Sequence, residues 1–525
     1  MNRGETGGKQ VRILWTDDEI EVLKPHIMFL TERGYLVDTC TNGTDAIDLI
    51  KANVYDLAFL DENMPGLSGI ETLGLIKQAR PDLPVIMITR SEEEEIMEAA
   101  IGSEIADYLI KPVKPNQILL AIKKSTQQRR LITEKTTSDY RSAFGNLGTM
   151  ISMAGTPDEW IAVFRTLVFW QTELRKSTDQ GMNEILESQI TDANNGFSKF
   201  IGSKYTKWFG SAESSKPLLS PAIMEKIVFP ATDGKSPLFF IVIDNLRYDQ
   251  WKTIAPVLSD YYRVVSEELY MSILPTATQY SRNAIFSGML PVEIREKYPE
   301  LWVDDDAEEG KNQHEEKLLG LNIDRHRLKI KWAYEKLLTN SDGRKFNERY
   351  RSYMNHDLVA LVYNSVDTLS HARTDAEVMK ELAADEEAFC SITLSWFTHS
   401  PLFELLKILS QSNVRVIITT DHGNVRVKNP VKIVGDRTTS SNLRYKLGRN
   451  LAYNPREVFE VTNPRAAGLP APNISSRFIF ATGSDYLVYQ NNYNHFASYY
   501  RDTFQHGGAS LYEMLCPIIS LEPVR

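Results

Sequence analysis

Six side chains in the second half of the sequence have the types and spacing of a zinc centre. Three apolar runs, SPLFFIVID, VALVYNSVD and VRVIITTDH, read as buried parallel strands that carry acids or histidines at or just beyond their carboxyl ends. The six candidate ligands are Asp244, Asp367, His371, Asp421, His422 and, in a QHGG turn, His506. Mixed nitrogen and carboxylate donors suit zinc, with manganese as a less suitable occupant. Six donors divide into two sites of three, and a metal pair can stabilise both oxygens of a phosphoryl transfer.

Such a site also needs a nucleophile, and the segment LPTATQYSRNAIFSG offers two threonines. Thr276 and Thr278 both precede a helix-like stretch. The amino end of a helix binds anions through its free backbone N–H groups. Either hydroxyl is therefore a candidate for attack on phosphorus.

A second cluster of acids belongs to the first 125 residues. Asp17 and Asp18 follow the first predicted strand, Asp61 ends the third, Thr89 ends the fourth and Lys111 follows the fifth. Three carboxylates in one pocket repel one another, and oxygen ligands favour Mg²⁺. We expect Asp61 to act as a nucleophile that forms an acyl phosphate, with Lys111 paired to the phosphoryl oxygens.

The elements that position these residues fall into three parts. Residues 10–125 contain five strand–helix units, with strands predicted at 11–16, 36–40, 57–61, 84–89 and 106–110, which indicates a doubly wound α/β sheet. Residues 126–225 show helical periodicity with turn signals at Gly155, Gly181 and Asn194–Gly196, and we predict a helical connector bundle. Residues 226–525 return to an α/β pattern.

Composition excludes several classes of protein. The 525 residues carry 59 Lys and Arg against 69 Asp and Glu, a net charge of −10, which argues against a nucleic-acid coat. Three cysteines without metal-ligand spacing exclude a disulfide framework. We see neither a signal peptide nor a transmembrane segment, and we expect a cytoplasmic protein.

Segment 424–450 is strongly basic and directly follows Asp421 and His422. It has seven Lys and Arg residues against one acid, Asp436. One interpretation is a solvated loop. Our hypothesis is that it lines the mouth of the site, where Arg444 and Lys446 hold phosphates of an oligonucleotide or cyclic nucleotide.

The first part resembles the receiver domain of two-component response regulators. The resemblance runs through WTDDE, LDENMPG, Thr89 and DYLIKP. It implies phosphorylation of Asp61 by a sensor histidine kinase, with homodimer formation on phosphorylation. It also implies a Mg²⁺ site formed by Asp18, Asp61 and the Asn63 carbonyl beside Asp17. Thr89 and Tyr108 would be the switch pair.

The third part resembles the PglZ branch of the alkaline phosphatase superfamily. The resemblance implies one zinc held by Asp244, Asp421 and His422, and a second held by Asp367, His371 and His506. It favours Thr278 as nucleophile and as a further zinc ligand, with Thr276 as the alternative nucleophile. A C/S-x-P-x-R segment is missing, which argues against a sulfatase.

The three parts together resemble PorX-type response regulators, a family linked to type IX secretion. The resemblance implies a metal-dependent phosphodiesterase for linear or cyclic oligonucleotides. The alternative is a signalling adaptor whose zinc site is structural or catalytically idle and which binds secretion components or a sigma factor. Direct DNA binding would have to reside in the connector, where we find no basic recognition helix.

Overall fold

The computed structural model describes residues 10–81, 83–90, 105–175, 180–210, 216–304, 312–375, 385–435, 440–473 and 475–524. The chain forms two compact units, residues 1–138 and 139–525. The connector therefore packs with the third part of the chain as one unit, which the sequence pattern did not predict. None of the described helices combines the length and apolarity that a bilayer span needs.

The first unit contains a parallel five-stranded sheet of order β2-β1-β3-β4-β5. The strands are β1 (Arg12–Thr16), β2 (Leu36–Cys40), β3 (Leu57–Asp61), β4 (Val85–Thr89) and β5 (Asp107–Ile110). β3 and β4 are buried along their whole length, since helices cover both faces of the sheet. This confirms the predicted doubly wound fold and its five strands.

Three helices of this unit are α1 (Lys24–Thr31), α2 (Gly43–Ala52) and α3 (Gly69–Ala79). α1 begins at Lys24 and carries Pro25 in its first turn, where a missing N–H is tolerated. The amino end of α3 packs closely on the end of β3. A Cβ at Gly69 would lie 2.4 Å from the Asp61 carbonyl oxygen, so this position has no room for a side chain.

The connector consists of long helices. They are α4 (Pro115–Met153), which begins in the first unit, α5 (Pro157–Arg175) and α6 (Gln180–Lys204). The predicted turn at Gly155 is confirmed. The turn predicted at Asn194–Gly196 is wrong, because α6 continues through it. Gly196 is instead a close-packing position, where a Cβ would lie 2.7 Å from the Trp160 ring.

The second unit is built on a six-stranded sheet of order β7-β18-β10-β6-β9-β8. Its strands are β6 (Leu238–Ile243), β7 (Tyr262–Met271), β8 (Trp332–Leu337), β9 (Leu358–Tyr363), β10 (Arg415–Thr419) and β18 (Leu515–Pro523). β10, β6, β9 and β8 run parallel, and β18 is antiparallel to both of its neighbours, β10 and β7. The three predicted apolar strands are therefore central neighbours whose carboxyl ends meet at one edge.

Smaller elements complete the unit. The helices are α7 (Tyr248–Ile254), α8 (Thr278–Ser287), α9 (Pro291–Lys297), α10 (Glu315–Arg325), α11 (Asn340–Arg349), α12 (Ser365–Asp375), α13 (Glu386–Thr398), α14 (Pro401–Gln411), α15 (Tyr493–Tyr500) and α16 (Leu511–Met514). The short strands are β11 (Val425–Arg426), β12 (Asn429–Ile433), β13 (Tyr445–Gly448), β14 (Phe459–Val461), β15 (Arg477–Phe480), β16 (Asp485–Tyr489) and β17 (Phe504–Gln505). β11 pairs with β17, so the turns that carry His422 and His506 lie side by side.

Candidate metal centre

Asp244, Asp421 and His422 form one cluster at the carboxyl edge of the sheet. Asp244 follows β6 and the other two follow β10, which are paired parallel strands. One ligand atom from each lies within 4.8 Å of the others, and all three residues are buried. The structure thus brings together the first predicted set of ligands.

Asp367, His371 and His506 form the second cluster by the same measure. Asp367 and His371 are one turn apart on α12, and Asp367 Oδ1 lies 3.5 Å from His371 Nε2 and 3.7 Å from His506 Nε2. The rings of His422 and His506 stack with their centroids 4.3 Å apart. The two clusters are therefore adjacent, and together they contain all six predicted ligands.

Backbone carbonyls fix the proton on two of the histidines. His422 Nδ1 lies 3.1 Å from the Gly423 carbonyl oxygen, and His506 Nδ1 lies 3.1 Å from the Thr276 carbonyl oxygen. A carbonyl only accepts, so Nδ1 donates in both rings. Nε2 of each neutral ring is left as a lone-pair donor, which is how metal-binding histidines are usually oriented.

Burial shifts the pKa values of several ionisable groups in the two clusters. Burial and the neighbouring Asp244 carboxylate raise the pKa of Asp421 well above its usual range, and they raise the pKa of Asp367 as well. Burial opposes ionisation of Asp244 too, but the Arg282 guanidinium keeps its pKa below the usual value. Burial and the neighbouring His422 ring lower the pKa of His506 to about 4. The surroundings thus favour a neutral His506 ring and oppose ionisation of Asp421 and Asp367, and a bound cation would stabilise the two carboxylates.

The donor set fits a divalent transition metal. Asp421 Oδ2 is buried and accepts no hydrogen bond from any described residue. Arg282 Nη1 and His422 Nε2 stay 3.8 and 3.9 Å away from it. A buried carboxylate oxygen without a donor is costly unless it binds a cation, and three carboxylates with three imidazoles match the ligand preferences of zinc.

The structure separates the two candidate nucleophiles. Thr278 is the first residue of α8 and is only partly buried, and its Oγ1 lies 3.2 Å from His422 Nε2 and 3.5 Å from Asp244 Oδ1. Thr276 is fully buried; its hydroxyl donates to the Gly508 carbonyl and accepts from the Gly507 amide. Thr278 thus borders the first cluster, whereas Thr276 supports the turn that carries His506.

The prediction that Arg444 and Lys446 hold substrate is wrong. Both side chains are buried, Arg444 directly before β13 and Lys446 within it. Arg444 donates to Glu513 Oε1 at 3.1 Å and Oε2 at 2.5 Å, and it also bonds the Gly483 and Asp485 carbonyls. Lys446 Nζ donates to the Ser440 carbonyl and lies 4.4 Å from the centroid of the Tyr489 ring. Arg437, in the same basic segment, lies outside the described residues.

Sequence reasoning missed two residues that hold the ligands. Asn245 has a φ of 66°, and its Nδ2 donates to Asp367 Oδ1 at 3.0 Å while its backbone N–H donates to Asp421 Oδ1 at 3.3 Å. It therefore joins the two clusters. Arg282 is fully buried and donates to Asp244 Oδ2 at 2.8 Å. Its position four residues after Thr278, on the same face of α8, is a signal that could have identified it.

The receiver-like unit contains the second predicted pocket. Ligand atoms of Asp17, Asp18 and Asp61 lie within 4.8 Å of one another, and only Asp18 is exposed. Lys111 Nζ lies 2.9 Å from Asp17 Oδ2 and 2.8 Å from Asp61 Oδ1. Burial raises the pKa of Asp61 even though Lys111 acts in the opposite direction. A Mg²⁺ ion would relieve this concentration of carboxylates, so the donors fit that metal.

The remaining predicted residues of this pocket lie around it. Asn63 is exposed, two residues after Asp61. Thr89 is buried and its hydroxyl donates to Glu62 Oε2, a partner that the sequence did not reveal. Tyr108 is 38% exposed on β5. Their predicted roles as Mg²⁺ ligand and switch pair stay predictions.

Three models of known protein families match the sequence of this chain. The family model described as the BREX system PglZ alkaline phosphatase-like domain matches residues 223–521, more than half of the chain. The chain belongs to the PglZ family. Models of the response regulator receiver domain and of the PorX response regulator linker domain match residues 13–123 and 130–209. The architecture is therefore that of a PorX-type response regulator: receiver, linker and PglZ domain.

Individual relatives cover only part of the chain. It is 32% identical over 146 residues to the transcriptional regulatory protein ZraR of Klebsiella oxytoca, which is 28% of this chain and 33% of that protein. It is 32% identical over 126 residues to the alginate biosynthesis transcriptional regulatory protein AlgB of Pseudomonas aeruginosa, which is 24% of this chain and 28% of that protein. The chain thus spans a third or less of the length of these two relatives.

Solved structures give similarly short matches. A CheY-like receiver domain protein from Methanospirillum hungatei is 27% identical, with 23% of this chain and 96% of that chain covered and a TM-score of 0.22. The receiver domain of NtrX from Brucella abortus is 29% identical, with 22% and 98% covered and a TM-score of 0.21.

Proposed function

We propose that the PglZ domain of this response regulator is a dizinc phosphodiesterase. The observation that carries the proposal is the position of Thr278 Oγ1, within 3.5 Å of two predicted ligands of the first cluster, to which a second cluster of three donors is adjacent. A hydroxyl next to two adjacent three-ligand sites is the arrangement that phosphoryl transfer through a covalent intermediate requires.

The six predicted ligands and Thr278 would have separate roles in this reaction. Asp244, Asp421 and His422 would hold one zinc, and Asp367, His371 and His506 would hold the other. When bound, the two ions would supply positive charge to the attacking and leaving oxygens. Thr278 Oγ1 would attack phosphorus as the bond to one ester oxygen breaks, and the departing alkoxide would take up the hydroxyl proton and leave as an alcohol. Water would then hydrolyse the threonine phosphodiester, releasing a phosphomonoester and restoring the hydroxyl.

The geometry of α8 supports this role for Thr278. The residue begins a ten-residue helix, so the positive end of the helix dipole favours a phosphate at its hydroxyl. Thr278 Oγ1 lies 3.2 Å from His422 Nε2, the nitrogen that would bind zinc, so an ion on this nitrogen would lie next to the hydroxyl. The hydroxyl is also only partly buried, as a nucleophile must be.

The substrate class that we propose is a linear or cyclic oligonucleotide. This part of the proposal rests on the PorX-type architecture, since burial of Arg444 and Lys446 removes them as phosphate contacts. The same architecture supports a role in type IX secretion. For the receiver we propose phosphorylation of Asp61 by a sensor histidine kinase, followed by homodimer formation.

The test is the variant Thr278→Val, with Thr278→Ser as the control that keeps a hydroxyl. We expect Thr278→Val to lose at least about 1000-fold in cleavage of bis(p-nitrophenyl) phosphate and of a cyclic dinucleotide, with two zinc ions per chain by elemental analysis. Thr278→Ser should keep measurable cleavage. If Thr278→Val cleaves like the wild type, the nucleophile is assigned wrongly.

One outcome would favour a signalling adaptor instead. Wild-type protein that binds two zinc ions but cleaves neither the chromogenic diester nor an oligonucleotide would have a structural metal site. Its function would then be the binding of secretion components or a sigma factor.

A further inference from the structure

The segment 509–513 follows the His506 turn and contacts both turns that carry histidine ligands. Its residue Glu513 accepts from the Gly508 N–H through Oε1 at 2.8 Å and from the Gly423 N–H through its backbone carbonyl at 3.1 Å. A Cβ at Gly423 would lie 2.1 Å from the Tyr512 carbonyl oxygen, so the His422 turn has no room to move toward the segment. Glu513 therefore ties segment 509–513 to both turns, to one through its side chain and to the other through its backbone.

The other side of this segment is held by the connector helices. The Leu511 N–H donates to Asn194 Oδ1 of α6 at 3.0 Å in a buried hydrogen bond. The Tyr512 hydroxyl donates to Gln171 Oε1 of α5 at 2.7 Å, also buried. The edge of the Phe164 ring packs on the Tyr512 ring, with centroids 5.2 Å apart. Helices α5 and α6 of the connector thus contact two consecutive residues of the segment, Leu511 and Tyr512.

We infer that the connector is a positioning element of the metal centre, and that Asn194 and Gln171 are its positioning residues. Their two hydrogen bonds hold segment 509–513, which in turn places the turns of His422 and His506. What those turns bind rests on the proposed function, whereas the mechanical role of the connector does not. Substitution of a residue that orients a metal ligand without binding the metal typically lowers metal affinity by about 10–100-fold.

The experiment compares full-length variants of two buried amides on the same helix. Asn194→Ala removes the acceptor of the Leu511 N–H, whereas Asn194→Asp keeps an oxygen there. Gln189→Ala is the matched control, because Gln189 is buried on α6 but bonds Tyr140 and the Phe144 carbonyl of the connector. Two quantities are measured: the Kd for Zn²⁺ by competition with a chelator, and amide hydrogen exchange of peptides covering residues 505–512 in metal-free protein.

We expect Asn194→Ala to weaken zinc binding about tenfold and to speed exchange in 505–512 about tenfold. Asn194→Asp should recover most of both losses, and Gln189→Ala should stay within twofold of the wild type. The inference is overturned if Asn194→Ala also stays within twofold in both measurements. It is equally overturned if Gln189→Ala produces the same changes, because the effect would then be general softening of the bundle.

Failure of the proposed function gives a different pattern. Wild-type protein that binds zinc without cleaving a diester refutes the enzyme and leaves the comparison of variants intact. If the wild type binds no zinc, the proposed function fails, and hydrogen exchange in metal-free protein still decides whether Asn194 holds the segment.

Discussion

Substitution of Arg444 by Ala distinguishes a buried structural cation from a substrate contact. The guanidinium has no exposed surface and makes two hydrogen bonds to the equally buried Glu513. Removing it leaves an uncompensated carboxylate in the interior, which typically costs about 3–5 kcal/mol of the free energy of unfolding. The Asp485 and Gly483 carbonyls also lose their donor.

The expected change in melting temperature follows from the size of the second unit. An unfolding entropy of about 2.1 cal/mol/K per residue gives roughly 0.8 kcal/mol/K over residues 139–525. A loss of about 3–5 kcal/mol therefore predicts a Tm about 4–6 °C lower for the transition of this unit. Calorimetry of the full-length chain in the presence of a chelator measures this without a contribution from bound metal.

The control for this measurement is Arg449→Ala, which removes an exposed arginine from the same basic segment. Surface substitutions of this kind change stability by no more than about 0.5 kcal/mol, so its Tm should shift by less than about 1 °C. The reasoning is refuted if Arg444→Ala melts within about 1 °C of the wild type while the KM for a diester rises several-fold. The guanidinium would then face the substrate.

Two further predictions test the turns and the receiver. Gly423→Ala places a Cβ where the Tyr512 carbonyl oxygen lies 2.1 Å away, so we expect at least about tenfold weaker zinc binding by chelator competition. Gly145→Ala, with nothing within 4 Å of its Cβ, should bind zinc like the wild type, and equal affinities for both variants would contradict the crowding argument. Phosphoramidate should double the mass of the wild type in light scattering and leave Asp61→Asn unchanged; a wild-type mass that does not change would contradict dimer formation by phosphorylation.

The parts of the fold that follow from periodicity were predictable. Continuous apolar runs ending in acids marked the central strands of both sheets, and parallel strands place their carboxyl ends at one edge. Strand ends thus account for Asp244, Asp421 and His422 and for the Asp367–His371 pair, whereas His506, in a QHGG turn, is assigned to its set by the PglZ resemblance; the structure brings all six together. Their roles as zinc ligands stay predictions.

The failures come from tertiary partners that a sequence does not display. The residue types of Asn194–Gly196 are typical of a turn, but α6 continues through them. Gly196 lies against the Trp160 ring, which leaves no room for a side chain there. In the sequence, Arg444 is one of seven positive charges in a basic segment. In the structure it pairs with Glu513, which lies 69 residues away and neutralises it. Asn245 and Arg282 act on ligands of other segments, and only the i, i+4 spacing of Thr278 and Arg282 could have suggested a shared site.

The position of Arg282 has a consequence for how the protein matures. Its guanidinium lies between Asp244 and Glu315, both buried, and so already offsets part of the negative charge at the sheet edge. A cavity of unopposed carboxylates would require an ion before it could close. We infer that, with an internal arginine in place, the chain can complete its fold before any ion is bound, so the amount of folded protein should not depend on the supply of metal.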